Sequence, residues 1–158
     1  MIEINPAAIP RHLDLVRGLF RDYADSLPIS LGFQDFDAEL AGLPGDYQPP
    51  AGRLLLAWRE GQAIGSVALR PLEPGICEMK RLYVSPAARA TGLGRQLAER
   101  ICSEARSAGY RRMRLDTLAS MAAARRVYQS LGFREIGPYC FNPSPDAVFL
   151  ELDLLQPR

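Results

Sequence analysis

The sequence carries almost no net charge and contains no long apolar segment. Its 19 Lys and Arg are nearly matched by 18 Asp and Glu, so it lacks the positive field with which proteins attract nucleic acids or anionic membranes. The longest unbroken apolar run, residues 54–58, is far below the roughly 20 residues that a transmembrane helix needs. These two absences predict that the protein binds neither nucleic acid nor membrane.

Cysteine is scarce, and there is a single histidine. The three cysteines, Cys77, Cys102 and Cys140, are an odd number at long spacings with no histidine beside them. This pattern argues against a disulfide framework and against a zinc site. Residues 1–10 also lack the basic start and the apolar stretch of a signal peptide. We therefore expect a cytoplasmic protein that holds no metal.

Apolar residues are common enough to build one hydrophobic core. They make up 47% of the 158 residues, which predicts a single compact domain. Their spacing predicts the element order β-α-α-β-β-β-α-β-α-β-β. The predicted strands cover residues 2–4, 53–58, 63–71, 76–84, 111–115, 133–136 and 147–154, and the predicted helices cover residues 10–27, 35–43, 93–109 and 120–131.

One predicted strand, residues 76–84, has an irregular pattern. Cys77 and Met79 are apolar at odd positions, whereas Leu82 and Val84 are apolar at even positions. Successive side chains of a strand point to opposite faces, so this change of phase indicates one extra residue, a β-bulge.

The clearest local motif is Arg89-Ala90-Thr91-Gly92-Leu93-Gly94, which joins that strand to the helix starting near Leu93. Its glycines let a ligand approach the backbone closely, and the first amides of a helix have no partner inside the helix. With the positive end of the helix dipole, these amides predict an anion-binding site. A tight turn without a ligand is the alternative. A dinucleotide-binding fingerprint is a weaker one, because Leu97 stands where its third glycine would be.

Three motifs, in the right order, resemble those of the GCN5-related N-acetyltransferase (GNAT) family. Residues 89–94 resemble its Q/R-x-x-G-x-G/A motif, residues 78–86 its fourth strand, and residues 124–133 its A-x-x-x-Y-x-x-x-G-F helix and turn. The resemblance implies one N-acetyltransferase domain over residues 1–158. It also implies a three-layer α/β (α+β) fold, whose mixed, mostly antiparallel sheet of six to seven strands is splayed between strands 4 and 5.

The resemblance implies acetyl-CoA as a co-substrate, without a metal. Amides of residues 89–95 would hold the pyrophosphate, and the backbone of residues 82–84 would pair with the pantetheine arm. Arg125 is a further candidate for a CoA phosphate, with a solvated charge as the alternative. The family often has an asparagine where this chain has Met121. The implied cofactor-binding residues are Leu82, Tyr83, Val84, Arg89, Ala90, Thr91, Gly92, Leu93, Gly94, Arg95 and Arg125.

Two catalytic residues are implied in the same way. Tyr128 matches the tyrosine that protonates the departing thiolate, a slightly uphill transfer because a thiol has a pKa of about 8.5 and a phenol about 10. Glu78 is the candidate base, acting through water on an acceptor amine whose pKa is about 10.4. The alternative for Tyr128 is packing in the core. For Glu78 it is a salt-bridged or exposed position beside Lys80 or Arg81.

The implied activity is transfer of an acetyl group from acetyl-CoA to a primary amine of a small molecule or peptide, by direct attack in a ternary complex. Tyr23, Phe33 and Tyr139 are candidate walls of the acceptor site, with burial in the core as the alternative. A non-catalytic acyl-CoA binding or sensing module is the rival function. The family also makes a homodimer a reasonable expectation.

Overall fold

A computed structural model describes residues 1–155, except for the side chain of Phe33. These residues form a seven-stranded sheet with the strand order β1-β2-β3-β4-β5-β7-β6. The strands are β1 (Ile2–Pro6), β2 (Arg53–Arg59), β3 (Gln62–Glu73), β4 (Ile76–Val84), β5 (Arg112–Leu118), β6 (Arg134–Ile136) and β7 (Ala147–Asp153). The helices are α1 (Leu13–Asp25), α2 (Phe36–Ala41), α3 (Leu93–Ser107) and α4 (Ala122–Leu131).

The sheet is antiparallel except between β4 and β5. These two strands pair in parallel only where Ile76, Cys77 and Glu78 lie opposite residues 112–114. Beyond Glu78 the described structure shows no ladder between them, so the sheet splits at its centre. The predicted mixed, mostly antiparallel α/β fold with a splay between strands 4 and 5 is confirmed.

Helices cover both faces of the sheet. On one face α3 and α4 bury Leu97, Ile101 and Leu131, because apolar residues recur every three or four positions along them. On the other face α1 and α2 bury a second cluster that includes Phe20 and Leu40. Each helix thus shields one side of strands that are apolar on both faces, which gives the three layers.

The predicted elements are all present, with shifted ends. The first helix begins at Leu13 instead of residue 10, and β3 extends over Gln62–Glu73. The predicted hairpin turn between β2 and β3 contains Glu60 and Gly61, both with positive φ, 53° and 78°, as a type I′ turn requires. Three short 3₁₀ helices were not predicted: Gly32–Gln34, Gly45–Tyr47 and Pro86–Ala88. Within residues 1–155, every helix is too short or too polar to cross a membrane.

The predicted bulge lies in the middle of β4. Arg81 and Leu82 together oppose the single residue Val67 of β3. Arg81 adopts φ 61°, a left-handed conformation that costs a non-glycine residue about 1 kcal/mol or more. The extra residue brings the neighbours Lys80 and Arg81 to the same face, where both bind side chains of residues 34–39.

Candidate active site

The split between β4 and β5 opens into a cleft of about 700 Å³. This volume lies within the range of pockets that hold small-molecule ligands, roughly 300–1,000 Å³. The cleft is bounded by the free edge of β4, the start of α3 and the start of α4. The predicted cofactor-binding residues that line it are Leu82, Tyr83, Val84, Arg89, Ala90, Gly92, Leu93, Gly94 and Arg95.

The turn before α3 presents a run of unbonded backbone amides. The Arg89 amide, which was predicted to belong to this group, donates to the Pro86 carbonyl oxygen at 3.4 Å. Within the described part of the chain, the amides of residues 90–95 donate to no protein acceptor, and the first bond of the helix runs from Gln96 N to Gly92 O at 3.1 Å. Ala90 and Gly92 have φ 64° and 81°, which bends the chain tightly into the helix. The hydroxyl of Thr91 donates to a carbonyl of the preceding turn at 2.6 Å. The result is a concentration of free donors at a helix N-terminus.

A glycine on β3 lets this helix start close to β4. A Cβ atom at Gly65 would lie 2.8 Å from the carbonyl oxygen of Tyr83 and 3.1 Å from the side chain of Leu97. Both distances are below normal van der Waals contact, so a larger residue would push α3 away from the sheet. Close packing here places the free amides beside the free edge of β4.

A smaller chamber of about 50 Å³ adjoins the inner end of the cleft. The residues that line both spaces are Tyr23, Leu82, Met121 and Ala124. Tyr128 of α4 lines the chamber and is 7% exposed. Its ring packs on Phe133 at 5.6 Å between centroids, while its hydroxyl makes no hydrogen bond within the described residues. Burial raises the pKa of Tyr128 above its ordinary value, so the phenol is protonated at neutral pH.

Charged and amide side chains also line the chamber. Lys80 Nζ lies 3.6 Å from Asp116 Oδ1, and each of these side chains is 5% exposed. Lys80 donates a hydrogen bond to Gln34 Oε1 at 3.1 Å, and Asn142 Nδ2 donates to Asp116 Oδ2 at 3.0 Å. Burial lowers the pKa of Lys80, although the nearby Glu78 and Asp116 carboxylates act in the opposite direction.

The sequence patterns do not single out this group, because its members come from separate segments. A weaker signal is present: Lys80 interrupts the apolar pattern of β4, and Asp116 follows Leu115 inside β5. A charged residue within an otherwise apolar strand is costly to bury without a partner. Such residues therefore mark either a surface strand or a polar site inside the protein.

Glu78, the predicted base, is buried at 2% exposure. Its Oε1 accepts a hydrogen bond from Arg70 Nε at 3.0 Å, and its Oε2 accepts one from the Tyr139 hydroxyl at 2.6 Å. The alternative of an exposed Glu78 is therefore wrong. Glu78 does form a salt bridge, but with Arg70 and not with its neighbours Lys80 or Arg81. Glu78 does not line the chamber, but the ligand atoms of Glu78, Asp116 and Cys140 lie within 4.8 Å of one another.

Arg81 joins the bulge of β4 to α1 and α2. Its Nε and Nη2 donate to the two carboxylate oxygens of Glu39 at 2.9 and 2.8 Å, and its side chain is 1% exposed. The guanidinium carbon lies 5.7 Å from the ring centroid of Tyr23 and 5.1 Å from that of Phe36. This planar, stacked pair holds Tyr23 at the border between cleft and chamber.

The remaining predicted site residues are placed differently. Tyr139 packs edge-on against Phe149 at 5.7 Å and lies behind Glu78, outside the chamber lining. Arg125 donates to the Ala119 carbonyl at 3.5 Å and lines a separate groove on α4, so the structure does not bring it to the cleft. The side chain of Phe33 lies outside the described residues.

Comparison with known proteins agrees with this architecture. The sequence model of the Acetyltransferase (GNAT) family matches residues 16–133. An uncharacterised N-acetyltransferase of Schizosaccharomyces pombe is 41% identical over 155 residues, 97% of this chain and 95% of that protein. The IAA acetyltransferase of Azospirillum brasilense is 38% identical over 107 residues, 66% of this chain and 70% of that one.

A solved structure extends the likeness to a bound cofactor. The yncA protein of Salmonella typhimurium, determined with its cofactor acetyl-CoA, has a TM-score of 0.71 and covers 97% of this chain and 94% of its own. At 22% identity it shows a shared fold. The family match spans most of the chain, and the yeast relative aligns over nearly all of it. The protein is therefore an acyl-CoA-dependent N-acyltransferase, and it belongs to the Acetyltransferase (GNAT) family.

Proposed function

We propose that this enzyme transfers the acetyl group of acetyl-CoA to a primary amine of a small molecule or peptide, by direct attack within a ternary complex. The observation that carries the proposal is the continuity of the two spaces. Tyr23, Leu82 and Met121 line both the cleft and the chamber. The thioester of an acetyl-CoA bound along β4 would therefore lie next to an amine bound in the chamber.

The residues around the cleft suit coenzyme A. The free amides of residues 90–95 and the positive end of the α3 dipole match a diphosphate. The free edge of residues 82–84 offers backbone donors and acceptors to the two amides of a pantetheine arm, because buried polar groups need partners. When bound, acetyl-CoA supplies the activated acetyl group, and the backbone at Leu82 orients its carbonyl oxygen.

Tyr128 has the properties of a hydrogen-bond donor to the departing sulfur. Its hydroxyl has no protein partner in the described structure, and its raised pKa keeps it protonated. The same raised pKa makes full transfer to a thiolate uphill, since a thiol has a pKa of about 8.5. We therefore assign Tyr128 to stabilising the thiolate as the carbon–sulfur bond breaks. When the tetrahedral intermediate breaks down, the attacking nitrogen loses a second proton, and this proton neutralises the thiolate.

Removal of the first proton from the acceptor ammonium requires a base. We propose that Glu78 receives this proton through water, with Asp116 at the chamber wall between them. Ligand atoms of the two carboxylates lie within 4.8 Å of each other, a separation that a single water can bridge. The hydrogen bonds from Arg70 and Tyr139 hold Glu78 in place.

Direct transfer, without an acyl-enzyme, is supported by the state of the cysteines. Burial raises the pKa of Cys77 to about 12 and that of Cys140 to about 11. At neutral pH both are thiols, and the thiolate is the nucleophilic form. Cys77, Cys102 and Cys140 form no disulfide within the described residues, which supports the further proposal that the domain, residues 1–158, works in the reducing cytoplasm.

The test is thiol release from acetyl-CoA in the presence of amino acids, polyamines, aminoglycosides and peptides, together with calorimetry of CoA binding. We expect CoA binding and turnover with at least one amine. CoA binding without turnover on any acceptor would favour the rival function, an acyl-CoA binding module. If CoA does not bind, the assignment of the residue 90–95 amides to its diphosphate is wrong.

The base is tested with Glu78→Gln beside Glu135→Gln, an exposed glutamate on β6. General bases contribute about 100-fold or more, so the Glu78 variant should lose rate and its dependence on pH should change. A parent-like rate and pH profile for Glu78→Gln would leave only a structural role for the carboxylate.

A further inference from the structure

The chamber contains an ion pair whose positive member has no part in the proposed acetyl transfer. Lys80 and Asp116 lie on opposite sides of the split sheet, on β4 and β5, and both side chains are 5% exposed. Burying two charges costs about as much free energy as their attraction returns, so an apolar pair at these positions would hold the fold as well. The pair is therefore better explained by a ligand than by stability.

Each member of the pair keeps hydrogen-bonding capacity. An ammonium has three donors, of which Gln34 receives one at 3.1 Å. Asp116 Oδ1 lies 3.6 Å from Lys80 Nζ, beyond the usual 2.7–3.2 Å of a hydrogen bond. Asn142 binds the other oxygen, Oδ2. A ligand can thus accept from Lys80 and donate to Asp116 Oδ1 without displacing either amide.

A ligand that satisfies both groups must carry a negative and a positive group close together. An α-amino acid does so, with a carboxylate for Lys80 and an ammonium for Asp116. A polyamine would leave Lys80 facing a second cation, and a simple carboxylic acid would leave Asp116 facing an anion. Like charges in a buried site are strongly unfavourable, so the pair selects a zwitterion.

The other residues that line the chamber indicate the size and polarity of the rest of the ligand. Leu27, Ile29 and Leu31, from the segment after α1, line it with apolar side chains. Its volume of about 50 Å³ is far below the roughly 300–1,000 Å³ of a pocket that encloses a larger molecule. Such a volume has room for only a few non-hydrogen atoms, since one water needs about 10–15 Å³. The chamber therefore fits the charged head group of a small ligand, with an apolar side chain lying against these three residues.

We propose that the acceptor is a free α-amino acid with an apolar side chain, bound through its carboxylate by Lys80 and through its amine by Asp116. Asp116 then holds the amine at the wall that also adjoins the proton path to Glu78. The inference rests on the acetyl transfer proposed above and specifies its acceptor.

Three matched acceptors test the proposal on the unmodified protein: L-leucine, L-leucinamide and 3-methylbutylamine. They share the amine and the apolar side chain, and only leucine has the carboxylate. A hydrogen bond to a charged group predicts that kcat/KM for leucine exceeds that for the other two by on the order of 10- to 100-fold. Equal or faster thiol release with leucinamide or the simple amine overturns the proposal, and leucinamide above leucine would indicate a peptide N-terminus.

Binding separates this inference from the proposed activity. If none of the three releases thiol, acetyl transfer to these amines is wrong, and calorimetry of leucine and 3-methylbutylamine with the CoA-loaded protein decides the recognition. Tighter binding of leucine supports the zwitterion site. Equal binding, or none, overturns it.

A double variant assigns the preference to the pair. Lys80→Met with Asp116→Asn removes both charges and so avoids leaving one buried charge unpaired. We expect the ratio of kcat/KM between leucine and 3-methylbutylamine to fall toward one. The control, Arg114→Met with Glu151→Gln, removes a partly buried ion pair between β5 and β7 and should keep the ratio. A parent-like ratio in the Lys80 and Asp116 variant contradicts the assignment.

Discussion

The cleft and the chamber are adjacent, but they are built from different parts of the chain. Main-chain groups form the cleft: the free amides of residues 90–95 and the free edge of residues 82–84. Side chains from distant segments form the chamber, among them Lys80, Asp116 and Tyr128. A backbone site depends on conformation, whereas a side-chain site depends on the identity of each residue. Substitutions in the cleft should therefore change the affinity for CoA, whereas substitutions in the chamber should change the reaction and the choice of acceptor.

The largest effect is expected from a single atom in the chamber. Tyr128→Phe removes a hydroxyl that makes no hydrogen bond within the described residues, so the free energy of unfolding should change little. If that hydroxyl stabilises the departing thiolate, kcat should fall on the order of 100-fold. Single-turnover thiol release and urea denaturation measure the two quantities. A kcat within a few-fold of the parent value would return Tyr128 to a packing role.

The matched control is Tyr47→Phe on the other face of the sheet. The Tyr47 hydroxyl is also buried and without a partner in the described structure, but it lies outside the cleft and the chamber. Its removal should leave kcat unchanged and stability equal or slightly higher, because a buried unpaired polar group is unfavourable. Equal loss of rate in both variants would mean that the Tyr128 effect is not specific to the chamber.

The next largest effect is expected from the ion pair between Arg81 and Glu39, which joins the bulge of β4 to α2. Glu39→Gln leaves the buried Arg81 guanidinium without its anionic partner, which should lower the free energy of unfolding by about 3 kcal/mol. Glu99→Gln alters a pair with Arg95 whose side chains are 39% and 43% exposed, and it should cost less than about 1 kcal/mol. Urea denaturation compares them. Similar losses would show that burial of the Arg81 pair has no special weight.

A smaller effect is expected in the cleft from glycine conformation. Gly92 and Gly109 stand at opposite ends of α3, both have positive φ, and a Cβ at either would meet nothing within 4 Å. Alanine at either position should cost about 1 kcal/mol of stability. Only Gly92→Ala should also weaken CoA binding, by about fivefold if that strain is relieved by moving the free amides. Parent-like CoA affinity in Gly92→Ala would separate the turn from binding.

The smallest effect is expected from alkaline pH. Because burial raises the pKa of Tyr128, its phenol stays protonated beyond the ordinary value of about 10. The rate should therefore rise as the acceptor amine loses its proton and then level off, without a fall before about pH 10. A pH profile of kcat tests this, and a fall centred near pH 9 would show that a group other than Tyr128 must stay protonated, for example Lys80, whose pKa burial lowers.

Most of the residues that line the cleft could be predicted from the sequence, but of those that line the chamber only Tyr23, Leu82 and Tyr128 were predicted. The glycine motif of residues 89–94 specifies a local conformation, and the change of phase in residues 76–84 predicted the bulge because alternation is a local property. Lys80 and Asp116 meet only because β4 and β5 are neighbours in the sheet, which single-sequence spacing does not contain. Arg125 was a candidate for binding a CoA phosphate, but its side chain lines a different groove. Its position on a helix did not determine which groove that side chain would reach.

The bulge in β4 makes the length of that strand as important as its composition. Deleting Arg81, the one residue between Lys80 and Leu82, would restore simple alternation against β3 and remove the side chain that binds Glu39. The shortened strand could then continue its ladder with β5, and the two spaces would close together. Natural or engineered relatives that gain or lose a single codon here are thus expected to differ in whether they have a site at all.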